Sequence, residues 1–135
     1  RDRKTLISKL VFRRLKIKDK KNFISKIYSK NPPEIIRQLS VLADEAARKN
    51  DEVAKDILTE AGKELSLSCN TVIKKLNFQK EKFPLVLIGS VFNSKIVLQK
   101  VKEEVQKFAP KAKFIQPQKE PVIGAVKLAI ELLKH

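Results

Sequence analysis

A chain of 135 residues with 42% apolar and 33% charged residues, and only three glycines, has the make-up of a folded domain or part of one and argues against intrinsic disorder. Its 30 basic residues against 15 acidic give a net charge of +15, which raises the question of polyanionic partners. The single cysteine, Cys69, excludes an internal disulfide and fits a reducing, cytoplasmic setting, and no stretch approaches the roughly 20 apolar residues of a membrane span.

The first half reads as four helices. Leu6, Leu10, Val11, Leu15 and Ile17 recur at helical spacing, with Thr5 or Asp2 as the cap. Asp19 caps a short second helix carrying Phe23, Ile24, Ile27 and Tyr28, and Asn31-Pro32-Pro33 breaks it. Pro33 opens a third helix presenting Ile35, Ile36, Leu39, Leu42, Ala43, Ala46 and Ala47, which ends at Lys49-Asn50. Asp51 caps a fourth, long helix to about Leu76 with Val53, Ile57, Leu58, Ala61, Leu65, Cys69, Val72, Ile73 and Leu76 on its apolar face. Gly62 in its middle costs about 1 kcal/mol against Ala and would allow close packing with the third helix.

The second half follows a different pattern. Leu85-Val86-Leu87-Ile88 is a continuous apolar run ending in Gly89, the signature of a strand buried on both faces. Asn93-Ser94 caps a helix over Lys95 to Phe108 with Ile96, Val97, Val101 and Val105 inward. Lys113-Phe114-Ile115 forms a second strand, and Pro121 opens a last helix with Val122, Val126, Ala129, Ile130 and Leu133 inside. Strand, helix, strand, helix in this order predicts two parallel strands and a right-handed crossover. Two strands do not make a stable parallel sheet, so the sheet is expected to be incomplete in this chain.

The charge is densest from Arg1 to Lys30, with Arg13-Arg14 and Lys20-Lys21, but lysines run along the whole chain. The seven Phe and one Tyr do not interleave with them as a base-stacking platform would. The basic residues therefore read as a solvated surface, and the pattern argues against a nucleic-acid footprint.

The segment Leu85 to Phe92 carries the most chemistry. A strand delivers a glycine-containing turn to the start of a helix, and in open α/β sheets ligands bind beyond the carboxyl ends of the strands. Gly89 lets a backbone approach closely, and free amides at a helix start favour anionic or polar groups. Gly89, Ser90, Val91 and Phe92 are the candidate ligand contacts, although a tight strand-to-helix turn accounts for the same residues. Pro117 to Ala125 is either a second wall of that cleft or a helix start whose Gly124-Ala125 packs tightly on the sheet. No catalytic residue and no metal ligand is identified. His135 is the one histidine, so no His-dependent triad or multi-His zinc site can be built. Cys69 reads as a packing residue, and one cysteine cannot hold an iron–sulfur cluster. No two glycines lie closer than Gly62 and Gly89, so no Gly-rich loop exists in these residues.

The segments LVLIGSVF, PKAKFI and EPVIGAVKLAIELL, with KTLISKLVFRRLKI, FISKIYS, IIRQLSVLADEAARKNDEVAKDIL and AGKELSLSCNTVIKKL upstream, resemble the closing section of the BadF/BadG/BcrA/BcrD-type ATPase family, which includes N-acetylglucosamine kinases. The Asn50-Asp51 break falls where the family has a short turn between two long helices. The resemblance covers nearly the whole chain and rests on order and spacing. It implies an α/β fold: a helix-rich, partial ribonuclease-H-like (actin-type ATPase) C-terminal domain with a βαβα end. Residues 1–80 would be its helical subregion and residues 84–135 its adenosine-side unit. It implies ATP, with Gly89 and Ser90 against the ribose or adenine; Ser90 stands where the family more usually has a second glycine. It also implies Mg and an amino sugar in the full-length protein, with a homodimer left open. The family's Asp-Gly-Gly-Gly-Thr-like loop and second Gly-rich phosphate segment do not occur here. Phosphate and metal ligands and the sugar-activating carboxylate are therefore expected upstream, and this chain is expected to be inactive alone. The implied function is an ATP-dependent sugar kinase; the alternatives are an ATPase activator of a radical dehydratase and a non-catalytic basic module that binds nucleic acid.

Overall fold

The computed structural model describes residues 4–28, 32–117 and 121–133. In chain order it contains α1 (Leu6–Leu15), α2 (Lys20–Ile27), α3 (Pro32–Arg48), α4 (Glu52–Lys75), β1 (Phe83–Val86), a 3-10 turn (Ser90–Asn93), α5 (Lys95–Phe108), β2 (Ala112–Ile115) and α6 (Pro121–Leu132). The chain divides into two compact units, residues 1–64 and 65–135, and α4 contributes to each. No helix among the described residues is long and apolar enough to cross a membrane.

The first unit is built on α1. Thr5, not Asp2, is the cap that can be described: its Oγ1 accepts from the Ile7 amide at 3.1 Å. The helix ends at Lys16 in the left-handed region, with Arg13 and Arg14 in the last turn, where cations complement the dipole. Val11, Leu15 and Ile17 form a core with Leu42 of α3, and Ile7, Leu10, Phe12, Phe23 and Leu39 pack around it. This is the apolar stripe that the spacing requires. At α2, the Asn22 amide donates to Asp19 Oδ1 at 2.8 Å, which fixes the start. Phe23 joins the core, but Ile24 and Tyr28 are exposed, because a helix of two turns packed on one neighbour can turn only one narrow stripe inward. Asp2, Asn31 and the side chains of Ile27, Ile35 and Ile36 lie outside the described residues.

α3 buries Leu42, Ala43, Ala46 and Ala47. It ends where Asn50 takes a left-handed φ of 63°, with the Asn50 amide on the Ala47 carbonyl and the Asp51 amide on the Ala46 carbonyl. Asp51, 7% exposed, then caps α4 through the Ala54 amide at 2.8 Å. Ala54, Leu58, Gly62 and Ile73 are buried along α4, whereas Ile57, Val72 and Leu76 are exposed.

In the second unit, β1 and β2 are parallel and paired from Phe83 with Ala112 to Val86 with Ile115. α5 connects them, with Val97, Val101 and Val105 completely buried. The strand is not covered on both faces. Leu87 is 5% exposed, whereas Val86 and Ile88 are 47% and 53% exposed, so burial alternates along the run. One crossover helix covers one face of a two-stranded sheet, and the apolar run reads as doubly buried only if something else lies on the other face. α6 departs further from expectation: Val122, Val126, Ala129, Ile130 and Leu133 are all exposed. A Cβ added at Gly124 would meet nothing within 4 Å, so this glycine makes no tight contact with the sheet.

Candidate functional site

The sheet delivers the chain to its candidate site in three steps. The Leu87 amide donates to the Ile115 carbonyl at 2.8 Å, which carries the pairing one residue past β1. Gly89 then takes φ 118° and ψ 153°, a conformation that L side chains rarely adopt. A Cβ there would meet nothing within 4 Å, so the glycine is required by its backbone angles and the space beside it is open. Residues 90–93 form the 3-10 turn, with the Phe92 amide on the Gly89 carbonyl and the Ser94 amide on the Val91 carbonyl, both at 3.2 Å.

The four candidate contacts therefore lie together in one turn beyond the carboxyl end of β1. Gly89, Ser90 and Val91 are exposed, and Phe92 is half-buried. The interposed 3-10 turn is a feature that the sequence reading lacked; its signal is the run of polar cap-forming residues Asn93-Ser94 after Gly89-Ser90. Ser94 occupies the N-cap position of α5, but its side chain makes no capping hydrogen bond, and its Oγ is buried without a partner. The first turn of α5 also lacks an acidic residue, so the positive end of its dipole is not neutralised by charge. Open space at Gly89, exposed peptide groups and an uncapped helix start suit the polar and π surfaces of a nucleoside.

A divalent metal fits less well. Among the described residues no three His, Cys, Asp or Glu side chains converge, so no metal-dependent step is assigned to them. Glu104 serves other bonds: it pairs with Lys100 at 2.8 Å and with Lys107 at 3.0 Å, and these contacts hold its carboxyl below the usual range.

Two cavities flank β1. One of about 420 Å³ lies between the second half of α4 and β1, lined by Cys69, Val72, Leu76, Phe78 and Phe83 among others. Another of about 530 Å³ is lined by Lys82, Pro84, Lys113 and Phe114 among others. Neither is lined by any of Gly89, Ser90, Val91 and Phe92. Cys69 is half-buried rather than fully packed, and burial pushes its thiol pKa up, away from the reactive thiolate. Gln118, Lys119, Glu120 and His135 lie outside the described residues.

Residues 9–129 match the BadF/BadG/BcrA/BcrD ATPase family. The chain is 32% identical over 135 residues to an N-acetyl-D-glucosamine kinase of Dictyostelium discoideum, which spans 97% of the chain and 42% of that protein. It is 32% identical over 134 residues to an N-acetylmuramic acid/N-acetylglucosamine kinase of Clostridium acetobutylicum, 96% of the chain and 43% of that protein. The chain thus spans about two fifths of the length of the curated relatives it matches. A match of this extent, on a chain whose helices and strands follow one another in the order its motifs require, makes it a member of the BadF/BadG/BcrA/BcrD ATPase family.

Proposed function

We propose that this chain is the C-terminal, adenosine-side part of a cytoplasmic ATP-dependent sugar kinase acting on N-acetylglucosamine or a similar amino sugar, and that it is inactive alone. The observation that carries the reading is Gly89: a positive-φ glycine with open space beside it, beyond the carboxyl end of a parallel strand, in a chain related to two N-acetylglucosamine kinases.

In this reading the bound ATP supplies the phosphoryl group. The Gly89–Ser90 peptide lies against the ribose or adenine, and the Ser90 hydroxyl adds a hydrogen-bonding group at the same edge. Phe92 holds the turn, and the start of α5 presents its dipole to the ligand. Residues 84–135 form the adenosine wall of a partial ribonuclease-H-like domain, and residues 1–80 a helical wall. Phosphate, Mg and sugar ligands come from the part of the kinase that these residues do not supply, and closure of the two parts completes the site.

The test is ADP release by the full-length protein with N-acetylglucosamine. The reading requires sugar-dependent turnover, and it requires Gly89→Ala to raise the KM for ATP while leaving that for the sugar unchanged. Turnover that ignores amino sugars and depends on a partner enzyme would instead mark an activator ATPase.

A further inference from the structure

The charge of this chain is less evenly spread than its lysines suggest. Residues 1–30 hold 12 basic and two acidic residues, so +10 of the net +15 resides in that segment. Elsewhere among the described residues, six basic side chains are matched within their own helices: Arg48 with Asp44, Lys49 with Glu45, Lys55 with Glu52, Lys63 with Glu60, and Lys100 and Lys107 with Glu104. Lys74, Lys75, Lys80, Lys82, Lys95, Lys111, Lys113 and Lys127 are exposed without an ion pair to another described residue, but acids stand among them in the sequence, as they do not between Lys4 and Lys18. Around the corner between α1 and α2, Lys9, Arg13, Lys16, Lys18 and Lys21 are exposed and form no ion pair with another described residue. The described acids nearby have other partners. Asp19 is bonded to the Asn22 amide and side chain, and Glu45, which faces Arg13 and Arg14, is bonded to Lys49 at 2.8 Å.

Folding explains only part of this concentration. Arg13 and Arg14 suit the last turn of α1, but Lys21 stands in the first turn of α2, where a cation opposes the dipole and only the Asp19 cap offsets it. Lys21, Ile24 and Tyr28 recur at i, i+3 and i+7, and Tyr28 is 83% exposed, which offers a ring for a base to stack on. A lipid surface is the poorer fit. Among the described residues of this corner, Ile24 and Tyr28 are the exposed large apolar side chains and α1 adds none, short of the broad apolar face an interfacial helix buries.

We propose that the α1–α2 corner is a binding surface for single-stranded nucleic acid, with Arg13, Lys16, Lys18 and Lys21 on successive phosphates and Tyr28 stacked on a base. This is separate from the nucleotide turn at Gly89.

The experiment is fluorescence anisotropy of a labelled RNA of about 20 nucleotides with the full-length protein, from about 0.05 to 0.2 M salt. The corner variant combines Arg13→Glu, Lys16→Glu, Lys18→Glu and Lys21→Glu. A control of equal charge change combines Lys75→Glu, Lys80→Glu, Lys82→Glu and Lys111→Glu. The proposal expects the corner variant to bind at least about tenfold more weakly, with a salt slope shallower by about 2 to 3, and the control to bind nearly as the parent does. A second corner set with Gln at the same four positions must show the same direction of loss, so that a folding failure of the charge-reversed set cannot imitate the result. Unchanged affinity in both corner sets, equal loss in the control, or binding to phosphatidylserine vesicles without binding to the RNA overturns the proposal.

Discussion

Asp51 and Leu6 lie 45 positions apart and are joined by one carboxylate: the Leu6 amide donates to Asp51 Oδ2. The other oxygen, Oδ1, accepts from the Ala54 amide at 2.8 Å and from the Thr5 hydroxyl at 3.1 Å. One side chain therefore serves orphan amides at the starts of both α1 and α4 and fixes where the first helix sits on the turn between the third and fourth.

These bonds, first that from Leu6 and then that from Ala54, hold the Asp51 carboxyl below its ordinary range. A depressed pKa means that stability is present above the unfolded value of 3.8 and is lost as the pH falls below it. Asp51→Asn should lower the Tm by about 5 °C at neutral pH, since an amide caps less well than a carboxylate and cannot accept all three donors equally. It should also flatten the acid limb of the Tm-against-pH curve below about pH 4, leaving the slopes from Glu45 and Glu104, whose carboxyls are lowered too. Thermal unfolding of both proteins at neutral and acid pH checks this; parallel curves would show that the carboxylate is not the link.

At Gly89 the expected cost of alanine lies in the backbone. With φ at 118° and no atom within 4 Å of an added Cβ, Gly89→Ala meets no steric neighbour but must hold an unfavourable conformation or reshape the turn. A loss of about 1 to 3 kcal/mol in unfolding free energy is expected, measured by urea denaturation. Substitution of D-alanine by chemical ligation should restore the stability, because the positive φ is then ordinary.

Val101 lies on α5 between two other completely buried valines, Val97 and Val105. Val101→Ala should destabilise the second unit by about 2 kcal/mol through lost transfer energy and the cavity left behind. An exposed valine such as Val122 should be worth far less. Equal effects in chemical denaturation would mean that α5 is not the centre of this unit's core.

How much of this could be read from the sequence depended on whether an element's partner lies close to it along the chain. The valine stripe of α5 was legible, because the two strands that the helix connects flank it in sequence, although Ile96 is only half-buried. The Asn50-Asp51 turn was legible because a left-handed Asn followed by an Asp cap is local chemistry. The long-range bond from Asp51 to Leu6 was not, since nothing in either segment names the other. The inward faces of α6 and of Val86 and Ile88 were read correctly as apolar but not as exposed. Periodicity reports which residues are suited to burial, and only tertiary structure reports what buries them. Near the candidate site, the turn after β1 was legible from the strand–glycine–helix order, whereas the unpartnered Ser94 hydroxyl was not, because a Ser before a helix ordinarily reads as its cap.

Gly124 gives the sharpest test of that distinction. One expectation from the sequence is that this glycine lets α6 pack closely on the sheet, yet an added Cβ finds no neighbour within 4 Å, and nearby Ile123 and Val126 are exposed. In a helix interior without close contacts, glycine is less favourable than alanine by about 0.8 to 1 kcal/mol. Gly124→Ala in the 135-residue chain should therefore raise helix content and stability by about that amount. The check is far-ultraviolet circular dichroism with a denaturant titration. A loss of stability instead would mean that α6 is pressed against another surface at this point, that its small-residue face is in use, and that the exposure of Val122, Val126 and Ile130 is not how the helix resides in solution.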